Sequence, residues 1–194
     1  MRTLVILSHP HEKSYCYALY EAIVESLEAS GGHVDTLHLD RESFDAVMRE
    51  ADLAVYAGGQ SADPAVLGYQ SRIRAASQLV FIFPIWWEGM PGLLKGFIDK
   101  VFTKGFAYEA SKHRVTPKLT HIRRAVVVTT MNTPAWIYRW LYGNAVQRAF
   151  VRGTLRKCGV RKVAWIPLTP VSHAPDAKRR AWLARVAGLF STPL

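Results

Sequence analysis

Two adjacent tryptophans, Trp86 and Trp87, stand where a flat aromatic ligand could be bound. They follow an apolar, β-branched run, 79–83, that predicts a buried strand, and helical spacing resumes at Leu93. Loops between the end of a strand and the start of a helix bind ligands in open α/β sheets. Two large rings in such a loop are costly to leave in water, but packing between sheet and helix explains the same residue types. The residue types alone leave both interpretations open.

A second loop with useful chemistry follows the apolar run 2–7, which predicts the first strand. Ser14 is placed to cap the helix behind this loop, and the free N–H groups and dipole of a helix N-terminus bind anions such as phosphate. An ordinary capped helix explains the same residue. The motifs GxGxxG and GxxxxGK(S/T) are absent, so neither a dinucleotide fingerprint nor a P-loop is predicted. His9 and His11 lack a third ligand at a set spacing, so no metal site is predicted.

Composition and charge narrow the choice of partners. Hydrophobic residues make up 49% of the chain, which indicates a globular protein, and no apolar run approaches the ~20 residues of a membrane span. The net charge of +10 could attract nucleic acid, anionic lipid or anionic cofactors, but without a zinc finger or RNP motif we expect a solvated basic surface and no nucleic-acid partner. Cys16 and Cys158 are isolated, which predicts a reducing, cytoplasmic location and no zinc site. The start of the chain predicts a strand rather than a secretory signal.

The elements that position these loops alternate between strands and helices. We predict strands at 2–7, 33–39, 79–83, 124–130 and 163–168, and helices at 14–29, 64–76, 90–102, 134–157 and 176–190. The fourth helix is expected to break near Gly143. The segment 53–59 has strand propensity although a helix-like pattern precedes it, and 103–121 is rich in loops. Five short parallel strands with intervening helices predict one doubly wound α/β domain over residues 1–194.

One long segment, 83–102, resembles the flavin-binding segment of flavodoxin-like NAD(P)H:quinone oxidoreductases. Its sequence is Phe-Pro-Ile-Trp-Trp-Glu-Gly-Met-Pro-Gly-Leu-Leu-Lys-Gly-Phe-Ile-Asp-Lys-Val-Phe. The resemblance implies a flavodoxin-like sandwich with strand order 2-1-3-4-5 and a ligand site at the switch point between strands one and three. It also implies that the loop after the third strand lies along the ring of a flavin, and it favours a short helix over a strand near 53–59.

The same resemblance assigns site residues by position. The cofactor-binding positions match His9, Ser14, Tyr15 and Cys16 around the phosphate, Gln70, Pro84, Ile85, Trp86 and Trp87 near the ring, and Thr129 and Thr130 at the pyrimidine edge. The substrate pocket would be shaped by Trp87, Phe106 and Tyr108. The last two belong to a Gly-Phe-Ala-Tyr motif that in the family reaches toward the site of a partner subunit.

Some residues depart from the family pattern. Cys16 replaces an asparagine-like side chain, and Met131-Asn132 replace two glycines that let the backbone touch the flavin. Animal quinone reductases have a tyrosine and a histidine that assist hydride transfer. Tyr138 is offset by one residue from the first position and is the catalytic candidate, whereas no histidine stands near the second. The resemblance therefore leaves the proton relay unassigned.

The resemblance implies a homodimeric flavoprotein oxidoreductase with a ping-pong mechanism. NAD(P)H gives a hydride to the flavin and leaves, and a quinone or similar flat acceptor then takes two electrons. FMN is favoured over FAD, because the chain ends soon after the last predicted helix, where FAD-binding relatives have added structure. Some relatives are instead cytoplasmic regulatory subunits of a potassium-efflux antiporter. A non-catalytic, electron-carrying flavodoxin is a further alternative, although those proteins are usually acidic.

Overall fold

A central parallel sheet runs through the computed structural model, which describes residues 1–192. Its strands are β1 (Arg2–Leu7), β2 (His33–His38), β3 (Gln78–Pro84), β6 (Arg124–Thr130) and β7 (Lys162–Leu168), and their spatial order is β2-β1-β3-β6-β7. A separate antiparallel hairpin pairs β4 (Tyr108–Ala110) with β5 (Val115–Pro117). The predicted order 2-1-3-4-5 is confirmed, since β6 and β7 are the fourth and fifth strands of the parallel sheet.

Helices cover both faces of this sheet. They are α1 (Tyr15–Ala29), α2 (Glu50–Tyr56), α3 (Pro64–Ala75), α4 (Gly92–Val101), α5 (Ala135–Trp140), a π-helix (Val146–Arg156) and α6 (Asp176–Ala187), with a 3-10 turn at Leu39–Arg41. Alternate residues of each strand point to opposite faces. One set packs with α1 and α6, and the other packs with α3, α4, α5 and the π-helix. Within the described residues, no helix has the length and apolar character needed to cross a membrane.

The middle strands are buried on both faces, which explains their continuous apolar sequence. All seven residues of β3 are buried, and so are six of the seven in β6. A parallel sheet between two helical layers gives strands of this kind rather than an alternating pattern. The carboxyl ends of β3 and β6 lie side by side, with Pro84 opposite Thr130.

Two helix starts follow from the local sequence. The Ser14 hydroxyl accepts a hydrogen bond from Tyr17 N–H at 3.2 Å, and the Asp63 carboxylate accepts one from Ala65 N–H at 2.9 Å, with Pro64 at the first helical position. Both predicted caps are confirmed. The first cap matters for function, because it places the N-terminus of the 15-residue helix α1 at the carboxyl edge of the sheet.

Two segments could not be assigned from pattern alone. The strand propensity of 53–59 is overridden by helix α2, as the resemblance favours. Asp52, in the first turn of α2, accepts from Arg49 N–H at 2.9 Å and pairs with Lys100 Nζ of α4 at 3.1 Å. The loop-rich segment 103–121 contains the β4–β5 hairpin, which the sequence does not predict because each strand has only three, mostly exposed residues.

The predicted break near Gly143 is confirmed. Gly143 and Asn144 have positive φ angles of 75° and 54°, with α5 ending before them and the π-helix beginning after them. A different glycine, Gly96 in α4, permits a close approach, because an added Cβ would collide with the carbonyl oxygen of Ala46. The segment before α2 therefore packs directly against α4.

Candidate functional site at the carboxyl edge of the sheet

Three loops meet where β1, β3 and β6 end. Ser8 N–H, at the start of the first loop, donates to Ile82 O of β3 at 3.0 Å. Ile85 N–H, at the start of the second loop, donates to Thr130 O of β6 at 2.8 Å. The two loops with candidate chemistry therefore form one surface, at the switch point between β1 and β3.

His9 lies in the loop between β1 and α1 and contacts one of the two tryptophans. Its ring meets the ring of Trp86 edge to face, with centroids 6.1 Å apart, and its Nδ1 accepts from His11 N–H at 3.0 Å. Because Nδ1 is the acceptor, the neutral ring carries its proton on Nε2. Burial lowers the pKa of His9, and the charge of Asp40 opposes this shift. His9 is therefore a neutral donor near the N-terminus of α1 at neutral pH.

Tyr15 and Cys16 use their side chains to hold α1 in place. The Tyr15 hydroxyl donates to Arg179 O of α6 at 2.7 Å, and Cys16 Sγ lies 3.2 Å from Thr130 Oγ1. Burial raises the pKa of the Cys16 thiol to about 12, so it stays protonated and is no nucleophile. Tyr15 and Cys16 would bind an anion through their backbone N–H groups, because the N–H groups in the first turn of a helix have no partners within the helix.

The tryptophans occupy a tight turn that exposes them. Trp86 and Gly89 exchange two backbone hydrogen bonds of 3.0 Å, so that Trp87 and Glu88 form the tip of the turn. The φ angles at the tip are 47° and 61°, in the left-handed region that residues other than glycine rarely adopt. Trp87 is 102% exposed and Trp86 is 47% exposed. Packing between sheet and helix, the alternative interpretation of these rings, is therefore wrong for Trp87.

Tyr138 and Glu88 hold this turn against the fold. The buried Tyr138 hydroxyl donates to Glu88 O and accepts from Val146 N–H, both at 2.9 Å. One Glu88 carboxylate oxygen accepts from Thr133 Oγ1 at 3.4 Å, and the other is buried without a partner among residues 1–192. Burial raises the pKa of Tyr138. The tyrosine that the resemblance suggests for proton transfer thus has its hydroxyl occupied by two backbone groups.

Thr129 and Thr130 turn their hydroxyls inward. Thr129 Oγ1 accepts from Trp165 Nε1 at 3.0 Å, and the Thr130 hydroxyl meets the thiol described above. Both residues are buried. Pro84 is the last β3 residue paired with β6, and Ile85 follows it. Because both hydroxyls are already paired, any polar contact from these four residues to a ligand would come from their backbone groups.

Gln70 lies away from the strand-end loops. It is buried, and its amide nitrogen donates to Val101 O at 3.1 Å and to Thr103 Oγ1 at 3.2 Å, at the end of α4. Its donor group is thus satisfied within the fold. The structure does not bring Gln70 to the tryptophan turn within one chain.

Phe106 and Tyr108 lie toward the amino edge of the sheet. Phe106 is buried, and the guanidinium of Arg74, which stands just before β3, lies 4.9 Å from its ring centroid. Tyr108 borders a cavity of about 220 Å³ near Cys158, which precedes β7. The predicted pocket of Trp87, Phe106 and Tyr108 is therefore not formed within a single chain.

Sequence reasoning missed Glu88, Thr133 and an apolar cavity beside the turn. The cavity has a volume of about 230 Å³. Its lining residues are Gly89, Met90, Lys95, Ala145, Val146 and Ala149. Met90 stands three residues after Trp87 in the same segment and could have been noticed. The alanines follow α5, and no local pattern indicates that this part of the chain contacts the turn. Across residues 1–192, no three His, Cys, Asp or Glu side chains are grouped to hold a metal ion.

A parallel sheet in this order, with a ligand surface at its switch point, defines the flavodoxin-like class of α/β proteins. The sequence agrees with the fold. Residues 1–188 match the model of the Flavodoxin_2 family, which is described as a flavodoxin-like fold, and the chain belongs to that family.

Proteins similar to this chain include named oxidoreductases. The chain is 26% identical over 217 aligned residues to NAD(P)H dehydrogenase (quinone) 1 of Cavia porcellus, covering 100% of the chain and 79% of the relative. It superposes on NAD(P)H:quinone oxidoreductase from Methanothermobacter marburgensis with a TM-score of 0.84 and 25% identity, covering 98% and 96% of the two chains. The resemblance to NAD(P)H:quinone oxidoreductases is confirmed.

A second similar structure contains a cofactor. It is an FMN-dependent NADH-azoreductase from Bacillus anthracis str. Ames Ancestor in complex with FMN, with a TM-score of 0.77, 16% identity, and coverage of 98% and 97% of the two chains. At this identity the likeness shows the fold alone.

Proposed function

We propose that this protein is a flavin-dependent NAD(P)H oxidoreductase that passes two electrons, as a hydride, to a quinone or similar flat acceptor. The observation that carries the proposal is the exposed turn of Trp86 and Trp87 beside the capped N-terminus of α1. A flat ring joined to a phosphate would contact both features at once. The quinone oxidoreductases among its relatives support oxidoreductase activity.

FMN is the cofactor whose parts fit the residues present. The N–H groups at the start of α1 and the Nε2–H of His9 suit a phosphate, and the exposed indoles suit the ring. Because the hydroxyls of Thr129 and Thr130 are already paired, the ring's polar edge would be met by backbone groups of the loops. The FMN complex of a similar fold supports this choice.

The chain's own residues would bind and orient the reactants. Bound FMN would supply the two-electron, hydride-transfer chemistry between NAD(P)H and the acceptor. Trp87 would cover the reacting ring and exclude water, while the hydrogen bond from Tyr138 to Glu88 O would keep the turn in the binding shape. A preorganised site of this kind lowers the cost of bringing two flat reactants together.

We also propose a cytoplasmic homodimer built from a single domain. Phe106 and Tyr108 lie toward the amino edge, so a second subunit would be needed to bring them near the tryptophan turn. This arrangement would complete the substrate pocket that one chain lacks. The isolated cysteines Cys16 and Cys158 support a reducing compartment.

The first experiment is a visible absorption spectrum of the purified protein, followed by chromatography of any flavin released on denaturation. We expect bands near ~375 and ~450 nm that bleach when NADH or NADPH is added, and FMN as the released species. A protein that is colourless and does not bind added FMN or FAD would overturn the proposal. Bound flavin with negligible NAD(P)H oxidation would favour a regulatory subunit of a potassium-efflux system over an enzyme.

A further inference from the structure

The positive charge of this protein is concentrated in one third of the chain. Residues 110–175 contain twelve lysines and arginines and no aspartate or glutamate. The remainder of the chain has thirteen basic and fifteen acidic residues, so it is close to neutral. The net charge of +10 therefore belongs to the part that begins at the β4–β5 hairpin and ends before α6.

Part of this basic region is a broken helix with an apolar outer surface. Its inner side, from α5 and the π-helix, packs on the sheet through Tyr138, Val146, Phe150, Val151 and Leu155. Its outer side carries four large exposed residues. They are Trp136 (61% exposed), Trp140 (82%), Leu141 (65%) and Tyr142 (53%). Exposed apolar side chains grouped in this way mark an interaction surface.

Arginines surround these apolar residues. Arg139 lies between the two tryptophans of α5, and Arg148, Arg152 and Arg156 follow at four-residue spacing along the exposed side of the π-helix. None of the four takes part in an ion pair among the residues that the structure describes. Because α5 and the π-helix cover the same face of the sheet, their exposed side chains project to the same side.

We propose that this aromatic-basic face, formed by the exposed residues of 136–156, docks on the surface of an anionic lipid bilayer. Tryptophan, tyrosine and leucine enter the boundary between headgroups and acyl chains, while arginines beside them contact anionic headgroups. An amphipathic helix with this composition lies in the plane of the interface and does not span it. A bilayer is favoured over nucleic acid because Leu141 and the indoles project from a helix surface, whereas bases stack on aromatic rings within a groove.

The face adjoins the candidate redox site. The Tyr138 hydroxyl links α5 to the tryptophan turn through Glu88 O, and the apolar cavity of about 230 Å³ lies between that turn and the start of the π-helix. A lipid-soluble acceptor could thus pass from the bilayer into the site. This last step rests on the proposed function, whereas the docking does not.

The test is sedimentation of the full chain with phosphatidylcholine vesicles, with and without phosphatidylglycerol, in low and high salt. We expect binding to the anionic vesicles in low salt only, with a blue shift of tryptophan fluorescence. Each arginine removed from the face should lower the partition coefficient about fivefold, so Arg148→Gln with Arg152→Gln should lower it about 25-fold. The pair Trp136→Ala and Trp140→Ala should abolish the blue shift.

The matched control is Lys178→Gln with Arg180→Gln on α6, which removes the same charge from the other face of the sheet. An equal loss in this control would show general charge attraction and would overturn the proposal, as would unchanged binding by the tryptophan variant.

Tighter binding to a single-stranded oligonucleotide that depends on the same residues would assign the face to nucleic acid. A dimer that becomes monomeric in the tryptophan variant, with vesicle binding unchanged, would assign it to a second copy. None of these outcomes depends on flavin, so failure of the redox proposal would be distinguishable.

Discussion

The aromatic residues at the two edges of the sheet differ in their exposure to solvent. At the carboxyl edge, Trp87 is fully exposed on a turn with left-handed backbone, and none of residues 1–192 covers it. Toward the amino edge, Phe106 is 5% exposed and lies beneath the guanidinium of Arg74. Both residues belong to segments that resemble parts of one family's active site. Only the first has the exposure and backbone conformation typical of a ligand-binding position.

This difference distinguishes the residues that stabilise the fold from the residues that remain available to bind a ligand. Gln70 and Phe106 have their polar or apolar surface satisfied inside one chain. The tip of the tryptophan turn has an uncovered ring and a buried Glu88 carboxylate oxygen without a partner in the described chain. A functional role for the amino-edge residues would therefore require a second subunit, while the carboxyl edge needs only a ligand.

The largest expected effect is on stability, at the amino edge. Phe106→Ala removes a buried ring and should lower the free energy of unfolding by about 3–5 kcal/mol. The Kd for FMN, measured on folded variant protein, should change by less than about twofold, because the Phe106 ring is far from the phosphate loop. Urea unfolding and a flavin fluorescence titration measure the two quantities. If the variant does not fold, Phe106→Leu should give a milder loss of about 1 kcal/mol.

The matching change at the carboxyl edge should have the reverse pattern. Trp87→Ala removes a ring that is fully exposed in the part of the chain that the structure describes, so the free energy of unfolding should change by less than about 0.5 kcal/mol. Loss of stacking on the flavin should weaken FMN binding by about 1–3 kcal/mol, a five- to 150-fold rise in Kd. The expected contrast between the two edges would be wrong if Trp87→Ala destabilises the fold as much as Phe106→Ala does, or if neither variant changes the affinity for FMN.

Most of the fold could be predicted from the chain because its signals are local and mutually consistent. Continuous apolar runs indicate β1, β3 and β6, and Ser14 and Asp63 indicate the starts of α1 and α3. The β4–β5 hairpin could not be predicted, since three-residue exposed strands leave no hydrophobic period.

The candidate site was harder to predict than the fold. Strand-end position correctly groups His9 with Trp86, because parallel strands end at one edge. It cannot show that Tyr138 supports Glu88, which depends on a turn fifty residues away. Nor can it show that the hydroxyls of Thr129 and Thr130 are paired inside the fold, because their partners, Trp165 and Cys16, come from distant parts of the chain.

A substitution at Tyr138, also at the carboxyl edge, distinguishes structural support of the tryptophan turn from a role in proton transfer. Tyr138→Phe leaves Glu88 O without its donor and Val146 N–H without its acceptor in a buried place, and should lower the free energy of unfolding by about 1–3 kcal/mol. Turnover should fall only as far as FMN binding weakens. The control is Tyr142→Phe, which changes an exposed hydroxyl and should do neither. A stable Tyr138→Phe protein that binds FMN normally but has lost turnover would restore the hydroxyl to a proton-transfer role.

The smallest expected effect is a pH dependence of stability that arises from His9, at the carboxyl edge. Burial holds the folded-state pKa of His9 below that of the unfolded chain, about 6.5, so the unfolded chain binds the proton first as the pH falls. The contribution to stability is therefore complete above that pH and is lost below it. His9→Gln should flatten this part of the curve of unfolding free energy against pH. His173→Gln, at an exposed position, is the control variant. Saturating FMN should also flatten it, because a phosphate at the start of α1 favours the protonated ring. A slope that survives in His9→Gln would place its origin elsewhere in the molecule.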